Sequence, residues 1–274
     1  ATTLDWGNNY AEGTYASKSV SLQSTDNRSI FFKPDGTIFY HQSRNTDEIY
    51  QYTVSTAGDL STATYASKSL SFASKDTNTV GMAISGDGLH AYMGGITNAR
   101  IYQYNLSTAW DVSTGSDASK SLDVSGEMAY PLSFAFKADG TKIYVLDPSS
   151  NVLQYSLSTA WDVSTGSYDS VSFVLADTPR MITFVNNGKT LLFTADSTDL
   201  VRTATLSTAW DLSTATLNTG GFSISSQTSA PYGIAVYNDN VYIASKTVAY
   251  QYSLGEALQL GTGSFASADV GKTI

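Results

Sequence analysis

The chain has 274 residues, 24 acidic against 15 basic side chains and a net charge of −9, with 42% hydrophobic residues. It has no cysteine and only two histidines, His41 and His90, which excludes disulfide staples, thiol chemistry, cysteine-ligated metals and a three-histidine metal centre. The acidic balance lacks the basic footprint that a phosphate backbone demands, and the apolar runs are only a few residues long, so neither nucleic acid nor membrane insertion is expected.

In chain order, the N-terminus starts at Ala1 with neither Met nor an apolar leader, the expectation for a processed or trimmed segment. Residues 14–22, TYASKSVSL, are a strand-like run that residues 64–72, TYASKSLSF, repeat almost letter for letter. Between them the phrase IYQYTVSTAGDLST begins at Ile49. It returns as IYQYNLSTAWDVST from Ile101, VLQYSLSTAWDVST from Val152, VRTATLSTAWDLST from Val201 and AYQYSLGEALQLGT from Ala249, with starts 52, 51, 49 and 48 residues apart. Strand-rich repeats at a period near 50 point to a propeller.

One unit reads as four strands. In the third, residues 132–136 alternate with period two, Ala138-Asp139-Gly140 supplies a tight hairpin, and residues 142–146 return. Residues 152–157 make a third strand; after the loop at 158–165 a fourth begins near Tyr168. Equivalent hairpin signals stand at Pro34-Asp35-Gly36, Gly86-Asp87-Gly88, Asn187-Gly188 and Asn238-Asp239-Asn240.

Five copies of the three inner strands are present, but six candidates exist for the outer one. A ring must join its ends or expose an edge, so residues 14–22 are expected to complete the last blade. The expected fold is all-β: a five-bladed β-propeller of four-stranded antiparallel blades in residues 1–254, closed by the N-terminal strand. Residues 255–274, with the surplus run 264–270, are expected to lead out of it as a C-terminal extension of a chain cut from something longer.

The Trp-Asp pairs do not make WD40 repeats, which are shorter and carry an upstream Gly-His that is missing here. The runs FFKPDGT at 31–37, FKADGTKIYV at 136–145 and YSLSTAWDVST at 155–165 instead resemble a repeat common in phage virion structural proteins, especially those of marine phages. The likeness covers nearly the whole chain. The closing ADVGK at 268–272 is similar to a segment frequent in phage fibre and decoration proteins. The resemblance implies a virion surface location, other virion proteins as partners and no catalytic motif; related repeats also occur in bacterial proteins.

In a propeller, loops from strand two to three and from strand four to the next blade share one face, and the remaining loops share the other. Here one face carries the constant turns and STAWDVST loops. The other carries segments 41–48, 94–100, 147–151, 195–199 and 245–247, which are unlike each other. A site for one asymmetric partner belongs on that variable face.

Arg28, Val80, Leu132, Arg180 and Tyr232 hold one equivalent position before each innermost strand and are expected to ring the mouth of the central channel. With Tyr130, the arginines and Tyr232 could grip an anionic or sugar ligand; alternatively they plug the channel and satisfy Asp26, Asp76, Glu127 and Asp177. His41, Arg44 and Arg100 are further candidates on the variable loops. On the constant face, Trp110, Trp161 and Trp210 share one position, with Gly58 and Leu258 in the other units. They suit sugar stacking with avidity, or else pack against a neighbouring blade or their own loop, with Asp111, Asp162 and Asp211 turning the chain.

Only four Glu exist, and eight Asp recur at equivalent turns and loops, so repetition explains these acids better than paired acid–base chemistry does. No catalytic residue, metal site or cofactor is expected, although loop acids such as Asp147, Asp196 and Asp199 could hold an adventitious calcium. The reading is a non-catalytic virion surface protein, on a capsid spike, fibre or tail appendage, attaching to a host-surface glycan or protein. A secreted bacterial lectin or adhesin is the alternative, and a propeller glycosidase or lactonase comes third.

Overall fold

The computed structural model describes residues 12–254. The first strand, β1 (Gly13–Ser21), stands apart from the strands that follow it. Blade 1 is β2 (Asn27–Phe32), β3 (Ile38–Ser43), β4 (Glu48–Val54) and β5 (Ala63–Ser71). Blade 2 is β6 (Thr79–Ile84), β7 (His90–Gly95), β8 (Arg100–Leu106) and β9 (Gly115–Asp123). Blade 3 is β10 (Ser133–Phe136), β11 (Lys142–Leu146), β12 (Asn151–Leu157) and β13 (Gly166–Val174).

Blade 4 is β14 (Pro179–Val185), β15 (Thr190–Ala195), β16 (Leu200–Leu206) and a fourth strand split into β17 (Ala215–Leu217) and β18 (Phe222–Ser223). Both halves pair with β16. The break coincides with Gly220 and Gly221, both at positive φ, where a side chain on Gly221 would meet the Val201 carbonyl. Blade 5 takes β19 (Gly233–Tyr237), β20 (Asn240–Ala244) and β21 (Val248–Leu254), and its fourth strand is β1.

The expected clasp is therefore present. β1 runs antiparallel to β21 from Gly13 opposite Leu254 to Ser21 opposite Val248. Beyond it, the Leu22 and Asn27 amides donate to the carbonyls of Thr247 and Lys246, and Asn27 Nδ2 donates to Lys246 as well. The innermost strand β19 packs on β2, as neighbouring innermost strands do around the rest of the channel, so the ring closes. The expected surplus strand at 264–270 lies outside the described residues.

Alternation decides what each strand buries. Each of five apolar clusters lies between two neighbouring blades; Tyr92, Ile101 and Leu122 of blade 2, for example, pack with Phe134, Ile143 and Tyr155 of blade 3. The hairpins in blades 1 to 3 differ from the tight turn expected. Lys33, Ser85 and Lys137 each donate to the residue five positions on, enclosing four residues, with the Asp of each turn accepting from the amide two residues later. The glycine of each loop takes the left-handed conformation, at φ near 73° in Gly36, Gly88 and Gly140. Among the described residues no helix is long and apolar enough to cross a membrane.

Candidate functional site

The channel has two ends, and a cavity opens at each. On the variable face a cavity of about 210 Å³ is lined by Arg28, Arg44, Val80, Ile96, Tyr130, Leu132, Arg180, Met181 and Tyr232. All five residues of the equivalent ring position meet there, joined by Arg44 from the β3–β4 loop and Tyr130 from the loop entering blade 3. Bulges aim the two arginines: the pairing of β2 with β3 slips between Asn27 and Ser29, around Arg28, and that of β14 with β15 slips between Pro179 and Ile182, around Arg180.

Charge is concentrated on one side of this mouth. Arg28 lies over the Tyr232 ring at 4.2 Å from its centroid, Arg180 at 5.6 Å and Lys246 at 5.8 Å. Arg28 is paired with Asp26 at 2.7 Å and Arg180 with Asp196 at 2.6 Å. Of the carboxylates named from sequence, Asp26 takes that role, whereas Asp177 pairs with Arg202 instead. Asp76 accepts from the amides of Asn78 and Asn98, and Glu127 from the Tyr155 hydroxyl. Arg44 has no carboxylate partner among the described residues; its Nε donates to Asn78 Oδ1. The Arg28 Nε is buried with no acceptor among the described residues. The opposite wall, Val80, Ile96 and Leu132, is apolar, and Met181 lines the cavity as well.

Two sequence candidates stand elsewhere. His41, expected in a loop, lies inside β3 with no exposed surface. Its ring stacks on Tyr50 at 4.9 Å and contacts the Tyr52 hydroxyl, and burial drives its pKa from 6.5 down to about 3. It is a neutral core histidine out of reach of any ligand in the mouth. Arg100 opens β8, on the outer half of blade 2, where it bonds Asp123 and Ser121 across to β9.

At the constant end, a second cavity of about 300 Å³ is walled by Phe31, Met82, Ile84, Phe134, Phe136 and Phe184. Met181 lines both cavities and so stands where they approach each other along the channel. This apolar end was not anticipated from sequence, although the alternating aromatics of the innermost strands were its signal. Trp161 alone of the three tryptophans lines it.

The three tryptophans sit in one local structure. Each has φ of 65° and lies on the hairpin glycine of its own blade, so a methyl group on Gly88 or Gly140 would come within 2.5 Å or 2.4 Å of the indole, with Gly188 equally crowded. Each amide donates to that glycine's carbonyl, and each carbonyl accepts from a tyrosine of the preceding blade: Tyr40 to Trp110, Tyr92 to Trp161 and Tyr144 to Trp210, at 2.6 to 2.7 Å. Burial, with Asp87 and Asp162 nearby, raises the Tyr92 hydroxyl well above the ordinary tyrosine range, so it remains a donor.

Two further contacts repeat. Gln51, Gln103 and Gln154 accept from the buried amides of Val112, Val163 and Leu212 in the next blade's loop. Lys68 and Lys120 bind Asp111 and Asp162, whose other oxygen caps a short 3-10 turn. Burial alone would raise the Asp162 carboxyl, but Lys120 and Ser164 together hold it below the usual range.

Blade 5 latches onto blade 1 in the same way, through Tyr242 to Gly58, Gln251 to Leu60 and Lys18 to Asp59. Where blade 1 lacks the indole, the Tyr237 ring of blade 5 fills the space beside Gly36 and Gly58. The boundary between blades 4 and 5 is different. The cross-strand Tyr–Gln pair found in the other four blades is replaced in blade 4 by Leu192 opposite Thr203. Leu258, at the tryptophan position of the last unit, lies outside the described residues.

No family model matches the chain, and no curated protein matches it. Among solved structures it is similar to a candidate 6-phosphogluconolactonase from Bacteroides uniformis ATCC 8492, at 12% identity and TM-score 0.48, covering 70% of this chain and 52% of that one. A protein of unknown function from Desulfotomaculum acetoxidans is similar at 12% identity and TM-score 0.48, covering 83% and 69%. Hydrazine synthase of Kuenenia stuttgartiensis follows at 13% identity and TM-score 0.46, covering 82% and 56%. The chain thus spans about half the length of the Bacteroides protein, and these likenesses carry no chemistry over to it.

Proposed function

We propose that this chain is a non-catalytic attachment module of a phage virion, borne on a capsid spike, fibre or tail appendage, and that it holds a host-surface ligand in the channel mouth of its variable face. The observation that carries the binding reading is the convergence of Arg28, Arg44, Arg180, Tyr130 and Tyr232 on one cavity, on the face whose loops differ from blade to blade. The virion setting rests on the resemblance of the repeats. A rigid ring suits the task, because blades fixed by repeated latches present their loops without a large ordering cost, and many copies on a particle would multiply a weak site.

The non-catalytic part rests on the carboxylates of the mouth. Asp26 and Asp196 are each engaged by a guanidinium, so both acids already serve as partners of the arginines. Among the described residues no three acidic or histidine side chains are grouped to hold a metal.

A glycan array probed with the labelled chain, followed by titration of the hits, tests the reading. One ligand per chain is expected, with binding abolished by Tyr232→Ala and no product released. Three or more ligands per chain, insensitive to Tyr232→Ala, would move the site to the tryptophan loops. Turnover of a glycan or lactone that is lost on Asp26→Asn or Asp196→Asn would make the chain an enzyme.

A further inference from the structure

The mouth offers more positive charge than the protein itself uses. Three cations line it, Arg28, Arg44 and Arg180, and Lys246 stands against the Tyr232 ring. Two of the three are neutralised by Asp26 and Asp196, which leaves Arg44 without a carboxylate partner among the described residues, in a chain whose net charge is −9. The other carboxylates near Arg44 are committed elsewhere: Asp47 accepts from the amide and hydroxyl of Thr79, and Asp76 from the amides of Asn78 and Asn98. The bond from Nε to Asn78 fixes the plane of the Arg44 guanidinium and leaves both terminal nitrogens for an incoming group. A planar fork of two N–H donors fits a carboxylate.

The rest of the cavity describes the remainder of the ligand. Three cations crowd the Tyr232 ring, and Tyr130 adds a second hydroxyl for sugar oxygens. Val80, Ile96 and Leu132 face them with apolar surface, and Met181 lines the cavity where the channel narrows. A volume of about 210 Å³ is below the roughly 300 to 1,000 Å³ of pockets for drug-sized molecules, and suits one sugar ring. A cavity entered from the channel mouth and narrowed by Met181 admits a chain end more readily than the middle of a polymer.

We infer that the mouth takes the terminal acidic sugar of a surface glycan, with its carboxylate on the Arg44 fork, its hydroxyls on Arg28, Tyr130 and Tyr232 and its less polar face against Val80, Ile96 and Leu132. This rests on the mouth being the binding site, and it names the ligand class.

The test is calorimetric titration of the full chain with D-glucuronate, D-galacturonate and N-acetylneuraminate, beside their methyl esters, glucose and inorganic sulfate. At least one acid should bind once per chain and about tenfold more tightly than its ester, glucose or sulfate, a gap of the size a charge-assisted bidentate contact supplies. Arg44→Ala should remove that preference and Arg44→Lys restore part of it, with Lys120→Ala as the folded control. Arg44 lies in a loop with a single side-chain bond, so its variants should melt within about 2 °C of the parent.

Ester or glucose binding as tightly as the acid, lost on Tyr232→Ala but unmoved by Arg44→Ala, overturns the acidic-sugar inference and keeps the mouth as the site. Sulfate binding as tightly as the sugar acids overturns it too, since the ring would then contribute nothing. Acid binding that no substitution at Arg44, Tyr130 or Tyr232 alters overturns both.

Discussion

The two ends of the channel come from one repeated sequence and divide the work of the molecule between them. At the constant end, tyrosine, glutamine and lysine from one blade grip the loop of the next, and residues are alike because each makes the same bond four times or nearly so. At the variable end, the same blade positions hold Arg28, Val80, Leu132, Arg180 and Tyr232, and the differences converge on one cavity. Recurrence marks what holds the ring together, and departure from it marks what the ring presents.

Substitutions at the constant end should therefore act on stability and those at the mouth on binding. The largest effect is expected at Gly140. Alanine there must adopt φ of 73° and place its methyl 2.4 Å from the Trp161 indole, so a loss of about 3 kcal/mol is expected in denaturant unfolding. A loss below about 1 kcal/mol would mean that the loop relaxes freely.

Next comes Gln103→Ala, which strands the buried amide of Val163 and should cost about 2 kcal/mol. Thr203→Ala, at the matching position in blade 4, where threonine stands in place of the glutamine, should cost much less. Equal losses would mean that the glutamine's bond to the next blade adds nothing to the strand position it occupies.

Acid should act through His41. Its ring is held neutral in the fold, with a pKa near 3, and would take a proton near 6.5 once released. Stability from this group is full above 6.5 and declines as pH falls from there towards about 3, because only the unfolded chain gains the proton in that window. His41→Phe, which keeps the stack on Tyr50, should flatten this part of a melting curve against pH; an unchanged slope would place the sensitivity elsewhere.

The smallest effect is expected for Lys120→Ala. Its ion pair with Asp162 is 2.6 Å long, but the lysine side chain is 41% exposed, so about 0.5 kcal/mol is expected, shrinking as salt is added.

Much of this fold was legible because it is written five times. The period places the blades, and the near-copy at 14–22 of the outer strand at 64–72 announces the clasp. The mouth was legible for a related reason: equivalent positions in a ring must converge on its axis, which brings Arg28, Arg180 and Tyr232 together. His41 was misplaced because sequence does not say where β3 ends, and His41, Gln42 and Ser43 continue the strand into the core.

The latches were hidden for another reason. Gln103 and Val163 stand 60 residues apart, and their pairing needs two blades at a known distance. The split in blade 4 did have a signal, Gly220-Gly221, but the regularity of the repeats argued against it.

The division between a structural end and a binding end is tested most directly by a crystal structure of the chain with an acid-terminated oligosaccharide bound. The account predicts one sugar per chain at the mouth, against Tyr232, with its carboxylate on Arg44 and the tryptophan loops bare. Sugar rings stacked on Trp110, Trp161 and Trp210 with an empty mouth would contradict it.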